Sequence, residues 1–111
     1  MKLTELVEIL SLKVYSPGMI SEIEVSGGYT CDLLSDVMGS ANEGQIWITL
    51  QTHRNVAAIA SLKDIAAILL VKGLKPDQDM IDQAISETIP VLGTSENAFE
   101  ISGKIYKLLT Q

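Results

Sequence analysis

The sequence is poor in cysteine and aromatic residues and lacks any long apolar run. Cys31 is the only cysteine, so the chain cannot form an internal disulfide or a cysteine-rich metal cage, and this usage is typical of a reducing compartment. The longest uninterrupted apolar segment, 65–71, is much too short to span a bilayer. Glu5 and Glu8 interrupt the apolar pattern of the amino-terminal segment, which does not suit a signal peptide. These absences predict a soluble, cytoplasmic protein without a membrane partner.

Basic residues are also scarce. Lys and Arg number 8 against 14 Asp and Glu, which gives a net charge of −6. No basic tract with interleaved aromatic residues occurs, and a chain of this charge repels phosphate backbones, so nucleic acid is not an expected partner. By contrast, 47% of the residues are hydrophobic, which excludes a disordered segment and leaves apolar surface for association. We therefore expect one domain that forms a homodimer.

The first part of the chain predicts two helices separated by a less regular segment. Apolar residues recur at helical spacing over about residues 4–11, where Thr4 is a suitable N-cap. Ser16-Pro17-Gly18 supplies turn dihedrals between two short extended pieces, so a hairpin-like or irregular segment is expected there. A second helix is expected over about residues 31–41, with Gly39 near its exit.

From Gln45 onward, strands and helices alternate. Continuous apolar runs over 46–50, 65–71 and 89–92 predict three buried strands. Helices are expected between and after them, beginning at Thr52 or Asn55, at Pro76–Asp77 and near Ala98. This alternation predicts an α/β fold, in which residues 1–111 form a single three-layer-like domain with a mostly parallel sheet and flanking helices.

A polar cluster follows the first of these three strands. Backbone N–H groups at the start of the next helix, together with an arginine, suit a phosphate or carboxylate group. The turn after the last strand is expected at the same edge of the sheet, so the hypothesis is a site for a small anionic metabolite or nucleotide. The alternative is an ordinary capped turn whose charged side chains face solvent or a second subunit. The candidate ligand-binding residues are Thr52, His53, Arg54, Asn55, Gly93, Thr94 and Ser95.

Catalytic motifs are missing. The sequence contains no G-x-x-x-x-G-K-[ST], no G-x-G-x-x-G and no histidine-rich zinc motif, so we expect neither cofactor nor metal. His53 is the only histidine, and a small hydrolase or transferase that uses it with Ser61, Cys31 or Thr52 is the alternative function.

Some apolar side chains are candidates for exposed surface, although an aromatic residue in a strand is more often part of the core. These candidates are Trp47, Tyr29, Met19 and Met38.

Four short segments, in this order, carry a resemblance to a known family: GGYTCDLLSDVMG, WITLQTHRNVAAIA, IAAILLVKG and IPVLGTSENAFE. Together they resemble the DRTGG domain, a small α/β module named for a set of Asp, Arg, Thr and Gly residues, over roughly Ser16 to Leu109. More than one Asp and Thr of this sequence fits the namesake set. The candidates for that set are Gly27, Gly28, Asp32, Asp36, Thr49 and Arg54.

The resemblance implies a regulatory or oligomerising module and not a catalyst. DRTGG domains occur beside CBS domain pairs in regulatory pyrophosphatases and in long phosphotransacetylases, and they resemble the amino-terminal domain of HPr kinase/phosphorylase. Since this chain has no P-loop, kinase activity is not expected. The resulting expectation is a non-catalytic module that self-associates and modulates a partner protein.

Overall fold

Apolar runs in the second half of the chain form the centre of a five-stranded sheet. The computed structural model describes residues 1–111. Its strands are β1 (Lys13–Ser16), β2 (Gly27–Thr30), β3 (Gln45–Thr49), β4 (Ala67–Leu70) and β5 (Val91–Gly93). Its helices are α1 (Leu3–Ile9), α2 (Leu34–Ser40), α3 (Arg54–Leu62), α4 (Gln78–Glu87) and α5 (Ala98–Leu109), with a short 3-10 helix at Ile20–Glu22.

The sheet is mostly parallel, as the alternation of elements predicts. The strand order is β1-β5-β4-β3-β2. β2, β3, β4 and β5 run parallel to one another, and only β1 runs antiparallel, against β5. Every residue of β4 is buried, because helices cover both faces of the sheet and both sides of the strand must be apolar. The predicted α/β fold class is therefore confirmed.

Alternate residues of β3 face two separate cores. Ile46 and Ile48 belong to the core that α1 and α5 cover, whereas Trp47 belongs to the core covered by α2, α3 and α4. All three side chains are at most 1% exposed. Trp47 is therefore not part of an exposed apolar surface, whereas Met19 and Met38 are exposed and Tyr29 is half-buried.

Of the two arrangements expected around Ser16-Pro17-Gly18, hairpin-like or irregular, the hairpin is wrong and the segment is irregular, with a 3-10 helix at Ile20–Glu22. β1 pairs with β5, with Lys13 opposite Gly93, and not with the strand that follows it in the sequence. Gly18 has φ +49°, and a Cβ atom at this position would lie 2.7 Å from Pro90 Cδ. The turn after β1 thus packs directly on the segment that leads into β5, which explains why glycine occurs at position 18.

One other expectation for the first part of the chain needs correction, and one strand has no sequence-based prediction. α1 begins at Leu3 with Lys2 as N-cap, so Thr4 lies inside the helix. No local sequence signal indicates β2, because its Gly27-Gly28 pair has low strand propensity and its extended conformation depends on pairing with β3. No helix has the length and apolar character that crossing a bilayer requires.

Candidate functional site

The loop after β2 is tied to the end of β3 by the carboxylate of Asp32. Asp32 Oδ1 accepts a hydrogen bond from Thr49 Oγ1 at 2.8 Å and another from the Leu50 backbone N–H at 2.7 Å. The Gln51 side-chain amide donates to the Asp32 carbonyl at 3.0 Å. Thr49 is only 1% exposed, so its hydroxyl relies on Asp32 as an acceptor. We call these residues, Asp32, Thr49, Leu50 and Gln51, the Asp32 clamp.

The Asp32 clamp fixes the loop from which α3 begins. His53 is the N-cap residue, in extended conformation, and its side chain makes no capping hydrogen bond. The backbone N–H groups of Arg54 and Asn55 donate to no acceptor in the chain. Arg54 is exposed and His53 is half-buried. Open N–H groups at a helix start carry partial positive charge and attract anions.

α3 differs from the other helices in the charge of its first turn. Four of the five helices place a carboxylate there, which complements the helix dipole: Glu5 in α1, Asp36 in α2, Asp79 in α4 and Glu100 in α5. The first turn of α3 has no acidic residue, and it contains Arg54 and Asn55 instead. This helix start therefore lacks the internal anion that its counterparts have.

Thr52 connects this loop to the start of α4. Its hydroxyl donates to Asp77 Oδ1 at 3.3 Å, and the Asp77 backbone N–H donates to the Thr52 carbonyl at 2.9 Å. The prediction that Thr52 or Asn55 caps α3 is wrong, because the Thr52 hydroxyl is engaged by Asp77 and Asn55 lies inside the helix. Thr52 instead couples the beginnings of two helices.

The segment Gly93 to Ser95 lies, like Thr52 to Asn55, at the carboxyl ends of the parallel strands, but it contacts a different loop. β4 separates β5 from β3. The Thr94 N–H donates to the Leu70 carbonyl at 2.9 Å, and the Gly73 N–H donates to the Thr94 carbonyl at 2.9 Å. A Cβ atom at Gly93 would lie 2.7 Å from Tyr15 Cε2, so strand packing alone accounts for this glycine. The structure thus groups Thr52 to Asn55 and places Gly93 to Ser95 beside the end of β4.

No nucleophile is paired with His53. Each of the three hydroxyl or thiol groups considered as its partner donates to a carboxylate instead: Ser61 to Glu87 at 2.6 Å, Cys31 to Asp36 at 3.4 Å and Thr52 to Asp77 at 3.3 Å. No three side chains of His, Cys, Asp or Glu are grouped closely enough to hold a metal ion.

A second polar cluster lies beside the Asp32 clamp, at the start of α2. The carboxylate of Asp36 accepts hydrogen bonds from the Tyr29 hydroxyl and the Cys31 thiol. The indole N–H of Trp47 donates to the Cys31 carbonyl at 2.8 Å. The hydrogen bond to Asp36 raises the pKa of the Tyr29 phenol, with desolvation adding to the effect, while a hydrogen bond with Ser40 acts in the opposite direction.

We expect Tyr29 to ionise above the usual tyrosine pKa of 10.0, and Asp36→Asn to bring its pKa down toward that value. Because the folded-state pKa is raised, the stabilisation is present below pH 10 and is lost as the pH rises through the folded-state pKa. Absorbance titration of a Tyr15→Phe/Tyr106→Phe protein, in which only Tyr29 remains, measures the shift. An unchanged titration in Asp36→Asn would contradict the assigned cause.

Comparison with known proteins identifies the fold. The family model of the DRTGG domain matches residues 5–108. The chain belongs to the DRTGG domain family. The match covers nearly the whole sequence and confirms the resemblance carried by the four short segments. No curated protein matches this sequence.

The same DRTGG fold occurs in a solved regulatory region. That structure contains the CBS and DRTGG domains of the regulatory region of a Clostridium perfringens pyrophosphatase, complexed with its activator, diadenosine tetraphosphate. The TM-score is 0.72 at 16% sequence identity, over 95% of this chain and 46% of that one. At this low identity, the structural similarity shows a shared fold and no more. This chain spans less than half the length of the pyrophosphatase region.

The candidates for the namesake residues of the DRTGG domain lie in two places. Asp32 and Thr49 are hydrogen-bonded to each other, and Arg54 begins α3 shortly after them. Asp36 lies in the first turn of α2. The pair Gly27-Gly28 begins β2, at the opposite end of the parallel strands. The structure therefore brings Asp32, Thr49 and Arg54 to one edge and leaves the glycines outside it.

Sequence reasoning missed two residues of this edge. Gln51 is not among the sequence-based candidates, although a polar side chain directly after a buried strand is a usable signal for a strand-end site. Asp77 is predicted only as part of a helix start, and nothing in the sequence indicates its hydrogen bond with Thr52, which is 25 residues away.

Proposed function

We propose that this DRTGG domain is a non-catalytic regulatory module that self-associates and senses a small anionic metabolite or nucleotide at the start of α3, through which it modulates a partner protein. The observation that carries the sensing role is the first turn of α3. It has no acidic residue, and its open N–H groups lie beside Arg54. The alternative of a hydrolase or transferase using His53 has no paired nucleophile in its favour.

The surroundings of the α3 start define the kind of anion that fits. Arg54 supplies a charge-assisted hydrogen bond, and the N–H groups of the helix add neutral donors. The carboxylates of Asp32 and Asp77 accept hydrogen bonds from Leu50 and Thr52, in the loop that leads to α3, and they would repel further negative charge on a ligand. The site therefore suits one phosphate or carboxylate group and not an extended polyphosphate chain.

Hydrogen bonds connect the start of α3 to two other helices of the domain. The Asp32 clamp joins it to the start of α2, and the Thr52–Asp77 pair joins it to the start of α4. An anion that binds and orders this loop favours the conformation in which both connections are formed. The surface presented by α2 and α4 to a partner protein is then stabilised together with the site.

The Clostridium perfringens pyrophosphatase supports a regulatory role, because its DRTGG domain lies in a region that is complexed with a nucleotide activator. That region also contains CBS domains, so this support concerns the kind of function and not the residues of the site.

We expect Arg54→Ala to weaken anion binding by about 1.5 to 3 kcal/mol, because it removes a charge-assisted contact while leaving the fold intact. Titration calorimetry with phosphorylated metabolites, nucleotides and carboxylic acids measures the loss. Lys63→Ala is the matched control, since it removes the same charge at the other end of α3. His53→Ala should cost less affinity than Arg54→Ala, because an imidazole ring offers fewer donors than a guanidinium group.

Two results would argue against sensing. If the wild type binds none of these compounds and none raises its melting temperature, the α3 start is not a site for them. If Arg54→Ala instead shifts the monomer–dimer equilibrium, the cluster serves the subunit contact.

A further inference from the structure

A groove lies away from the strand ends, along the free edge of the sheet. β2 is an edge strand, paired only with β3, and α5 packs beside it. Between them lies a groove of about 1000 Å³, bordered by Gly27, Gly28 and Thr30 on the strand and by Ser102 and Tyr106 on the helix. A Cβ atom at Gly28 would make only ordinary contacts, so packing does not require glycine there. The strand and the helix meet where Thr30 Oγ1 lies 2.8 Å from Ser102 Oγ.

α5 has a second apolar face that the core does not use. Ile101 and Ile105 are buried beneath the helix. On the outer side, Phe99 is 89% exposed and Tyr106 is 72% exposed. Helical spacing brings both aromatic residues into one line with the small residues between them. We call the line of Phe99, Ser102, Gly103 and Tyr106 the α5 stripe. Two large aromatic side chains with so much exposure on one helix indicate a surface that becomes covered.

The charges beside the α5 stripe are arranged for an antiparallel copy of the same helix. Glu100 lies in the first turn and Lys107 in the last turn, and their separation of seven residues puts them on one flank of the stripe. Lys104 is already paired with Glu96 at 2.6 Å, which leaves Lys107 as the available basic group on α5. A two-fold axis brings the acidic flank of one helix to the basic flank of the other.

The structure assigns the α5 stripe and the adjoining groove as the surface at which a second copy of this chain docks, with the two α5 helices antiparallel. With the two-fold axis between Ser102 and Gly103, Phe99 faces Tyr106 of the second copy, and small residues occupy the crossing point. Glu100 then lies near Lys107 of the second copy, and the pairing occurs twice. This inference rests on the self-association in the proposed function and adds the surface that performs it.

Two helical glycines provide a matched test. Gly39 in α2 and Gly103 in α5 are both exposed, and a Cβ atom at either would meet nothing within 4 Å. Glutamine is a better helix former than glycine, so both substitutions are compatible with the monomer. In sedimentation equilibrium, we expect Gly103→Gln to raise the dimer Kd at least about tenfold, because a long side chain separates the crossing helices. Gly39→Gln should leave the Kd unchanged.

A charge exchange tests the antiparallel arrangement. Glu100→Lys should weaken the dimer, and adding Lys107→Glu should restore it. Glu100 Oε1 also accepts a hydrogen bond from Asn97 Nδ2 at 2.9 Å. The single and double variants lose this contact equally, so recovery in the double variant reports the pairing between copies.

Each outcome decides the inference. A wild type that stays monomeric at high protein concentration overturns both the self-association and this surface. A wild-type dimer whose Kd is unaffected by Gly103→Gln, or not restored by the double exchange, overturns the α5 interface alone and leaves self-association through another surface, such as strand addition along β2. A Kd raised in Gly103→Gln, unchanged in Gly39→Gln and recovered in the double variant establishes the interface.

Discussion

Replacing Trp47 by alanine should lower the free energy of unfolding by about 3 to 5 kcal/mol. Trp47 is fully buried in β3 and belongs to the same core as Val37, Val56 and Ile68. Its removal takes away the largest side chain of that core and leaves a cavity that neighbouring helices fill only in part. Domains of this size are stable by about 5 to 15 kcal/mol, so the variant should be close to unfolding at physiological temperature.

Urea denaturation followed by far-ultraviolet circular dichroism measures this loss, because Trp47 is the only tryptophan and its fluorescence disappears with the substitution. Trp47→Phe is the control. It keeps an aromatic ring in the core but removes the indole N–H that donates to the Cys31 carbonyl at 2.8 Å, and we expect it to cost about 1 to 3 kcal/mol. A loss below about 1 kcal/mol in the alanine variant would be inconsistent with a tightly packed site.

The second half of the fold is predictable from sequence because its signals are local. Apolar runs for β3, β4 and β5 are continuous, and the stripe of α5 follows helical spacing, so each element falls within about two residues of its expected position. Pro76 and Asp77 mark the start of α4 correctly, since Asp77 is its N-cap.

The first part of the fold depends on contacts that no local pattern contains. β1 completes the sheet by pairing with β5, where Lys13 meets a residue 80 positions away, Gly93. β2 is extended despite two glycines, because β3 supplies its hydrogen-bonding partners. Local propensity gives way to such long-range pairing. The proline and glycine after β1 are compatible with both a hairpin and an irregular segment, and only the pairing of β1 with β5 distinguishes the two.

The position of the candidate site is predictable from the sequence, but the hydrogen bonds within it are not. Parallel strands end at one edge of the sheet, which is why the position of Thr52 through Asn55 follows from the sequence; their ligand-binding role stays a prediction. The order of the strands does not reveal which groups hold one another. Asp32 and Thr49 are 17 residues apart, and their hydrogen bond arises only because β2 and β3 lie side by side.

Asp32→Ala should cost about 2 to 4 kcal/mol of folding stability, which is large for the substitution of an exposed residue. The carboxylate accepts two hydrogen bonds, from the Thr49 hydroxyl and the Leu50 N–H, and hydrogen bonds to charged groups contribute about 1.5 to 3 kcal/mol each. After truncation, the Thr49 hydroxyl stays buried without its acceptor. An unpaired buried donor is costly, whereas removing both partners is much less so.

A double-mutant cycle separates this clamp from any general effect of losing a charge. Asp32→Ala, Thr49→Val and the double variant are compared by urea denaturation, with Asp36→Ala as the matched control. Asp36 is a nearby carboxylate whose donors, Tyr29 and Cys31, lie at least partly in solvent, so its loss should cost less than about 1 kcal/mol.

Because a valine side chain has no hydroxyl to leave unpaired, Asp32→Ala should cost less in the Thr49→Val background than in the wild type, with a coupling energy of about 1 to 2 kcal/mol. Strictly additive costs would contradict the clamp. They would mean that the hydrogen bond between Asp32 and Thr49 contributes nothing to stability, and that only the hydrogen bonds of Asp32 with Leu50 and Gln51 hold the loop that leads to α3.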